Sequence, residues 1–320
     1  MCGGCQWQHI DYAFQLELKQ RILKEQLERI GKIPSPYVLP ALPSPQPLHY
    51  RNHARFSVDA SGHLGFIRAN SYKFLAIDCC YLMHPEINTI LARLQGRCAG
   101  QHQVSVRHGV ATGEEMVLPS LGQTDFGVES GQPHYFEALL GYRFRVSGPS
   151  FFQVNTPQAE RLVGAVRDRL ALKGDELLVD AYAGVGTFAV LLAPYVNRVV
   201  AIEESQSAVG DAQVNCAPFK NVELTLGKTE AVLPELRERP DALILDPPRI
   251  GCHGRVLDAL LDLAPPRIVY VSCDPATLAR DLGVLCHRGY RLKEALPVDI
   301  FPQTYHIETV ATLELQTHGS

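Results

Sequence analysis

Three carboxylates and a thiol stand where short apolar runs end. Glu176-Leu177-Leu178-Val179-Asp180, Arg198-Val199-Val200-Ala201-Ile202-Glu203 and Ala242-Leu243-Ile244-Leu245-Asp246 each close on an acid. Arg267-Ile268-Val269-Tyr270-Val271-Ser272 is followed directly by Cys273. Apolar runs of this length, separated by helical segments, read as parallel strands covered on both faces. Ligands of such sheets bind at the carboxyl ends of the strands. Asp180, Glu203 and Asp246 are therefore expected to converge on one site. Cys273, at the end of its own strand, is expected beside it, either as a nucleophile or as one more buried cysteine.

The first run leads into Ala181-Tyr182-Ala183-Gly184-Val185-Gly186-Thr187-Phe188. Glycines between a strand and a helix let the backbone turn tightly and approach a ligand closely. Glu203 lies 19 residues beyond Gly184. An acid there can accept hydrogen bonds from both hydroxyls of a ribose, which fits any nucleoside-bearing cofactor. No full G-x-G-x-x-G is present to cradle a pyrophosphate. Clustered acids also attract a cation and repel a diphosphate. The expected cofactor is S-adenosylmethionine, a sulfonium, rather than NAD.

Longer motifs follow. Asp246-Pro247-Pro248-Arg249-Ile250-Gly251, then Ile268-Val269-Tyr270-Val271-Ser272-Cys273-Asp274-Pro275-Ala276-Thr277, then Asp299-Ile300-Phe301-Pro302-Gln303-Thr304-Tyr305-His306-Ile307-Glu308 closely resemble the signatures of the RNA uracil-C5 methyltransferase family. That family includes the tRNA and 23S ribosomal RNA m5U enzymes, and the resemblance covers nearly the whole chain. It implies an α/β fold: a Rossmann-like S-adenosylmethionine methyltransferase sheet with a smaller β-rich N-terminal or central domain. It also implies methylation of a uridine in RNA through a Cys273 adduct at carbon 6, with Glu308 as general base. Gln153, in Phe151-Phe152-Gln153-Val154-Asn155, would lie near the methionine part of the cofactor. Tyr182, Thr187, Glu203 and Asp246 match other cofactor contacts, beside Gly184 and Gly186 of the turn. Thr187 stands where some relatives carry Asn. His306 is a weaker candidate that positions the loop.

The chemistry of the residues agrees. Carbon 5 of uracil is a poor nucleophile, and adding a thiolate to carbon 6 makes it enolate-like. The proton on carbon 5 must then leave, which a carboxylate can assist. The base must be reached outside a stacked helix, and Phe151 or Phe152 could stack on it. Two other readings share the motifs: an amino-group methyltransferase in which Cys273 is dispensable, and a non-catalytic RNA-binding relative.

The chain opens on Cys2-Gly3-Gly4-Cys5. Alone, a C-x-x-C reads equally as zinc, redox or cluster ligation. The run CGGCQWQH resembles the iron–sulfur segment of the ribosomal RNA members, which implies a [4Fe–4S] cluster on Cys2, Cys5 and Cys80, with Cys79 as the alternative to Cys80. A cluster takes four thiolates, and the first cysteine of the family pattern would fall before Met1. Two reduced thiols on a frayed terminus are the other reading. On resemblance alone, the cysteine-rich start implies ribosomal rather than transfer RNA as substrate.

The elements that must position these groups can be read from the remainder. A helix is expected after the cysteines, where Phe14, Leu18 and Ile22 recur at four-residue steps and Gly31 supplies a stop. Prolines from Pro34 to Pro47 exclude helix. Residues 50–145 look β-rich, and from 158 onward helices and strands alternate. The expected organisation is 1–33, cysteine motif and helix; 34–145, a β-rich central domain; 146–320, the catalytic domain. The chain has 320 residues, 46% hydrophobic and 20% charged, with nine scattered cysteines and a net charge of −4. The cysteines suit reduced thiols. The charge argues mildly against a nucleic-acid partner, although a total can hide a local basic patch. The apolar stretch Val179–Val196 is broken by Asp180, Gly184, Gly186 and Pro194, and no signal peptide is evident. A cytoplasmic monomer without a membrane partner is expected.

Overall fold

The computed structural model describes residues 2–122 and 127–316. Helix α1 (Tyr12–Arg29) starts at Asp11, whose carboxylate accepts from the Ala13 and Phe14 amides at 3.0 and 3.3 Å. An antiparallel sheet follows, built from β1 (His53–Val58), β2 (Leu64–Ile67), β3 (Phe74–Ala76), β4 (Gln103–His108) and β5 (Glu115–Leu118), in the order β3-β2-β1-β4-β5. Its first hairpin turns where Asp59 accepts from the Ser61 and His63 amides, both at 2.9 Å. Ala54, Phe56, Val104 and Val106 alternate onto one face and pack with α2 (Pro85–Leu94) through Ile87, Ile90, Leu91 and Leu94. The two-residue period sends His53, Arg55 and Ser105 to the opposite face.

A hairpin of β6 (His134–Leu139) and β7 (Tyr142–Ser147) leads to α3 (Thr156–Leu170). The alternating region then supplies β8 (Leu177–Ala181), α4 (Thr187–Leu192), β9 (Arg198–Glu203), α5 (Gln206–Cys216), β10 (Val222–Leu226), α6 (Thr229–Val232), β11 (Ala242–Leu245), α7 (Gly254–Leu263), β12 (Arg267–Ser272), α8 (Pro275–His287), β13 (Tyr290–Val298) and β14 (Glu308–Leu315). The seven strands are ordered β10-β9-β8-β11-β12-β14-β13. The first five are parallel, and β14 runs antiparallel to both β12 and β13. Successive connections from β8 go to opposite sides, so the topological switch point lies at its carboxyl end, where α/β sheets bind ligands. Helices α3 and α4 cover one face of the sheet; α1, α7 and α8 cover the other.

The apolar strands have the extents expected to within a residue or two. Helix α1 also forms where expected, but its buried stripe is Gln15, Lys19, Leu23 and Leu27, and Phe14 is exposed. The helix turns this way because its polar side chains have buried partners far along the chain. Lys19 Nζ, 1% exposed, donates to Asp299 Oδ1 at 2.5 Å and to the Phe301 carbonyl at 3.0 Å. The Gln15 amide donates to Gln303 Oε1 at 2.9 Å and accepts from the Gln303 amide at 3.0 Å. Beyond Leu27, the chain passes α8 at the closest possible distance. A Cβ on Gly31 would sit 2.8 Å from the Ala279 carbonyl, and one on Gly283 2.8 Å from the Gly31 carbonyl. The proline-rich segment then lies along the free edge of β13, with Leu39 and Leu42 amides bonded to the Ala295 and Pro297 carbonyls. An edge that would otherwise template aggregation is thereby covered.

Truncating Lys19 to Ala leaves Asp299 buried without its cation. The variant is expected to lose about 3–5 kcal/mol, and the double replacement Lys19→Met, Asp299→Leu to lose much less. Urea unfolding measures both; an unchanged midpoint for Lys19→Ala would show that the pair does not hold the loop.

Candidate active site

At the carboxyl ends of β8, β9, β11 and β12 the sheet opens into a cavity of about 490 Å³. Gln153, Tyr182, Gly184, Thr187 and Glu203 line it, and so do Asp246, Cys273 and Glu308. Gly186 lies behind this wall as the cap of α4, with φ of 84° and space for a Cβ only 3.0 Å from Cys216 Sγ. Gly184, at φ 57°, donates its amide to Glu203 Oε2 at 2.8 Å, while the Ser205 amide donates to Oε1 at 2.7 Å. These bonds fix the Glu203 carboxylate at the cavity rim. Asp180 is placed differently from Glu203 and Asp246. It is fully buried beneath the cavity, accepting from the Ala189 amide at 2.9 Å through Oδ2, and its Oδ1 has no partner.

Antiparallel β14 decides where Glu308 sits. A strand that runs backwards begins where its parallel neighbour ends: Thr309 pairs with Ser272, so Glu308 falls beside Cys273. Cys273 directly precedes α8, whose N-cap Asp274 accepts from the Ala276 and Thr277 amides, both at 3.0 Å. The positive end of that helix favours an anion nearby. The loop carrying Asp246-Pro247-Pro248-Arg249 is pinned against α8: Thr277 Oγ1 donates to the Arg249 carbonyl at 3.0 Å and Arg280 to the Ile250 carbonyl at 2.9 Å.

Burial dominates the electrostatics. It raises Asp246 to about 7. Burial, then the Asp246 and Glu203 charges, raise Asp180 to about 7 against the opposing Ala189 amide. Burial and Asp246 push Glu308 well above the usual carboxylate range, with Arg249 acting the other way. The Cys273 thiol rises to about 11 through burial, then Glu308, with Arg249 opposing and Asp246 adding. The free protein thus holds a protonated Cys273 thiol at neutral pH, and burial favours the neutral form of Glu308. A cationic ligand would favour the ionised form of every one of these groups.

Of the two aromatic candidates, Phe151 is 66% exposed and lines the cavity. Phe152 is 6% exposed and packs on Phe144 with ring centroids 5.8 Å apart. The loop before them is held by Asp211, which accepts from the Ser147 amide and hydroxyl at 2.8 and 2.7 Å and from the Ser150 hydroxyl at 2.6 Å. The His306 ring stays outside the cavity lining, against Phe301 and Tyr305. Arg249 and Phe301 also line the cavity, and neither was singled out from the sequence. The signal for Arg249 was its place directly after Asp-Pro-Pro. Asp211 and Lys19 gave no signal, since each reads as an ordinary helix-surface charge.

Cys2, Cys5 and Cys80 line a separate hollow of about 460 Å³ beside Arg51, whereas Cys79 is exposed and outside it. The Cys5 thiol is pushed up to about 11 by burial, then by Cys80 and Cys2, with Arg51 opposing. Among the described residues no three His, Cys, Asp or Glu side chains are placed to hold one metal ion. The three thiols surround a space rather than meet at a point. No described helix is long and apolar enough to cross a membrane.

Residues 139–231 and 237–316 match the tRNA (uracil-5-)-methyltransferase family. An uncharacterized RNA methyltransferase of Thermosynechococcus vestitus is 37% identical over 98% of this chain and 82% of its own. Another, from Halalkalibacterium halodurans, is 35% identical over the same shares. The crystal structure of Pyrococcus abyssi tRNA (uracil-54, C5)-methyltransferase with S-adenosyl-L-homocysteine superimposes with a TM-score of 0.79, at 29% identity, over 98% of this chain and 85% of that one.

The raised thiol makes a testable pH dependence. Thiolate is the reactive form, so alkylation of Cys273 in the free protein should be slow at pH 7 and rise about tenfold per pH unit towards pH 11. At pH values where Glu308 is ionised, Glu308→Gln removes a negative charge that raises the thiol and should speed alkylation. Peptide mass mapping after iodoacetamide pulses measures both. Fast alkylation at pH 7, insensitive to Glu308→Gln, would contradict the described surroundings.

Proposed function

The chain belongs to the tRNA (uracil-5-)-methyltransferase family, and from that premise we propose that it transfers a methyl group from S-adenosylmethionine to carbon 5 of a uridine in RNA through a covalent adduct on Cys273. One observation carries this reading: a thiol and a buried carboxylate, Cys273 and Glu308, adjoin at the end of the sheet, in a cavity that Glu203, Glu204, Glu230 and Asp246 also line.

The cofactor supplies a methyl group on a cationic sulfur. The acid lining suits that charge, and the unpartnered Asp180 Oδ1 beneath gives further negative potential. Glu203, oriented by the Gly184 and Ser205 amides, is proposed to accept from the ribose hydroxyls. Gln153, Tyr182, Thr187 and Asp246 contact the rest, and Gly184 and Gly186 shape the turn. Cys273 releases its proton to solvent and adds as the thiolate to carbon 6 of the uracil, and the electron pair of the 5,6 double bond moves towards the carbonyl at carbon 4. Carbon 5 takes the methyl group, and the sulfonium leaves as a neutral thioether. Glu308 then removes the proton from carbon 5, the double bond re-forms and the Cys273 thiolate is expelled. Arg249, the one guanidinium lining the cavity among the described residues, favours the anionic forms of both groups. Phe151 is placed to stack on the entering base.

Cys2, Cys5 and Cys80 are proposed to hold three corners of a [4Fe–4S] cluster, whose chemistry their sulfur donors suit. By resemblance, this cysteine-rich start favours ribosomal RNA. The likeness to the Pyrococcus abyssi transfer RNA enzyme supports transfer RNA as the second reading.

Incubation with methyl donor and either RNA, followed by nucleoside mass mapping, should yield 5-methyluridine. Cys273→Ala should abolish it. Glu308→Gln should slow turnover about 10²–10⁴-fold and accumulate a denaturation-stable protein–RNA adduct. Sustained turnover by Cys273→Ala would sink the covalent route and favour an amino-group acceptor. Protein purified without oxygen should carry about four irons and four sulfides per chain, and Cys80→Ala should lose them.

A further inference from the structure

The acid-lined cavity does not stand alone. A second hollow of about 680 Å³ opens beside it and shares Phe151 and Phe152 with it. Its floor is the outer face of β1 and β4, where strand alternation sets His53, Arg55, Gln103 and Ser105 side by side. At its far end it shares His53 and Arg55 with the cysteine-lined hollow. Shared walls thus set the three hollows in a row.

Charge divides along this row. Five carboxylates and one guanidinium line the first cavity. Among the described residues no carboxylate lines the other two, which carry Arg51, Arg55 and Arg107. Arg107 is buried and bonded to the Gly148 and Ser150 carbonyls at 3.2 and 2.8 Å, so its role is structural. Arg55 is exposed and donates to Gln103 Oε1 at 2.7 Å; Arg51 is half-buried and donates to the His53 carbonyl at 3.0 Å. Neither is ion-paired among the described residues. His53, at 3.0 Å from Ser105 Oγ, is held down to about 3 by burial and then by Arg107, Arg51 and Arg55. In a chain with 34 acids and 30 bases, this is a local excess of positive charge.

We propose that the carboxylate-free groove over β1 and β4 is the track of the RNA strand, with Arg55 and Arg51 on its phosphates and Phe151 receiving a base where the groove meets the catalytic cavity. The proposal rests on the uridine reading above. A polyanion whose bases can stack fits a guanidinium-lined groove that ends at an exposed ring. The placement also removes the objection raised by the net charge of −4, because the acids are gathered at the cofactor side and the unpaired bases along the track.

Arg55→Glu tests this, with Gln103→Glu as a second variant that adds a carboxylate without removing a base. Methylation of RNA at several salt concentrations gives KM, and equilibrium dialysis gives the affinity for S-adenosylmethionine. Arg55→Glu should raise KM for RNA at least about tenfold and reduce the log–log salt slope by about one; Gln103→Glu should shift KM the same way. The affinity for S-adenosylmethionine should hold in both, which reports an intact fold. Unchanged KM and salt slope in both variants would overturn the groove. A wild-type protein that methylates no uridine would overturn the preceding reading instead, and the salt slope of its RNA binding would still judge the groove.

Discussion

Negative charge buried at one edge of a sheet is the constraint from which the rest follows. Asp180 and Glu308 are within a few per cent of full burial, and half-buried Asp246 shares the cavity wall with Glu308. Carboxylates removed from water are costly unless paired or protonated. The free protein meets that cost by protonation, which is why Asp180 and Asp246 rise to about 7. A bound cation meets it by compensation. Under the proposed function, the same site would select a sulfonium and, with it bound, shift the neighbouring thiol and carboxylate towards their ionised forms, so that cofactor recognition and nucleophile activation become one electrostatic event.

That arrangement needs a rigid frame, because Glu308 follows an irregular loop. The frame is supplied from the other end of the chain. Gln15 and Lys19 on α1 grip Gln303, Asp299 and the Phe301 carbonyl, while Gly31 and Gly283 let the chain press directly onto α8. The N-terminal helix is thus a clamp on the segment that leads to Glu308, and not a spacer before the first sheet. Asp211 plays the corresponding part for the Phe151 loop.

Charge is sorted in space more strongly than in sequence. Acids and bases are interspersed along the chain, and the total is close to neutral. Folding collects five carboxylates around one cavity and leaves Arg55, beside β1 and β4, outside any ion pair among the described residues. Electrostatic attraction of a nucleic acid depends on this distribution rather than on the sum.

The sequence by itself determined the local structure and its chemical types. Strands buried on both faces must be continuously apolar, so Leu177–Ala181, Ala242–Leu245 and Arg267–Ser272 announced themselves, and the acids and cysteine closing those runs marked the ligand edge. The glycine turn after β8 was legible for the same local reason. The tertiary structure decided what depends on distant partners. Gln15 and Lys19 displaced Phe14 from the buried face of α1 because their partners lie 288 and 280 residues away. Asp180 went under the cavity while Glu203 and Asp246 faced it, and Phe151, not Phe152, turned outward. Above all, only the antiparallel return of β14 beside β12 brought Glu308 to Cys273. Strand direction and neighbour are set by how a whole sheet closes its core, and no local spacing encodes them.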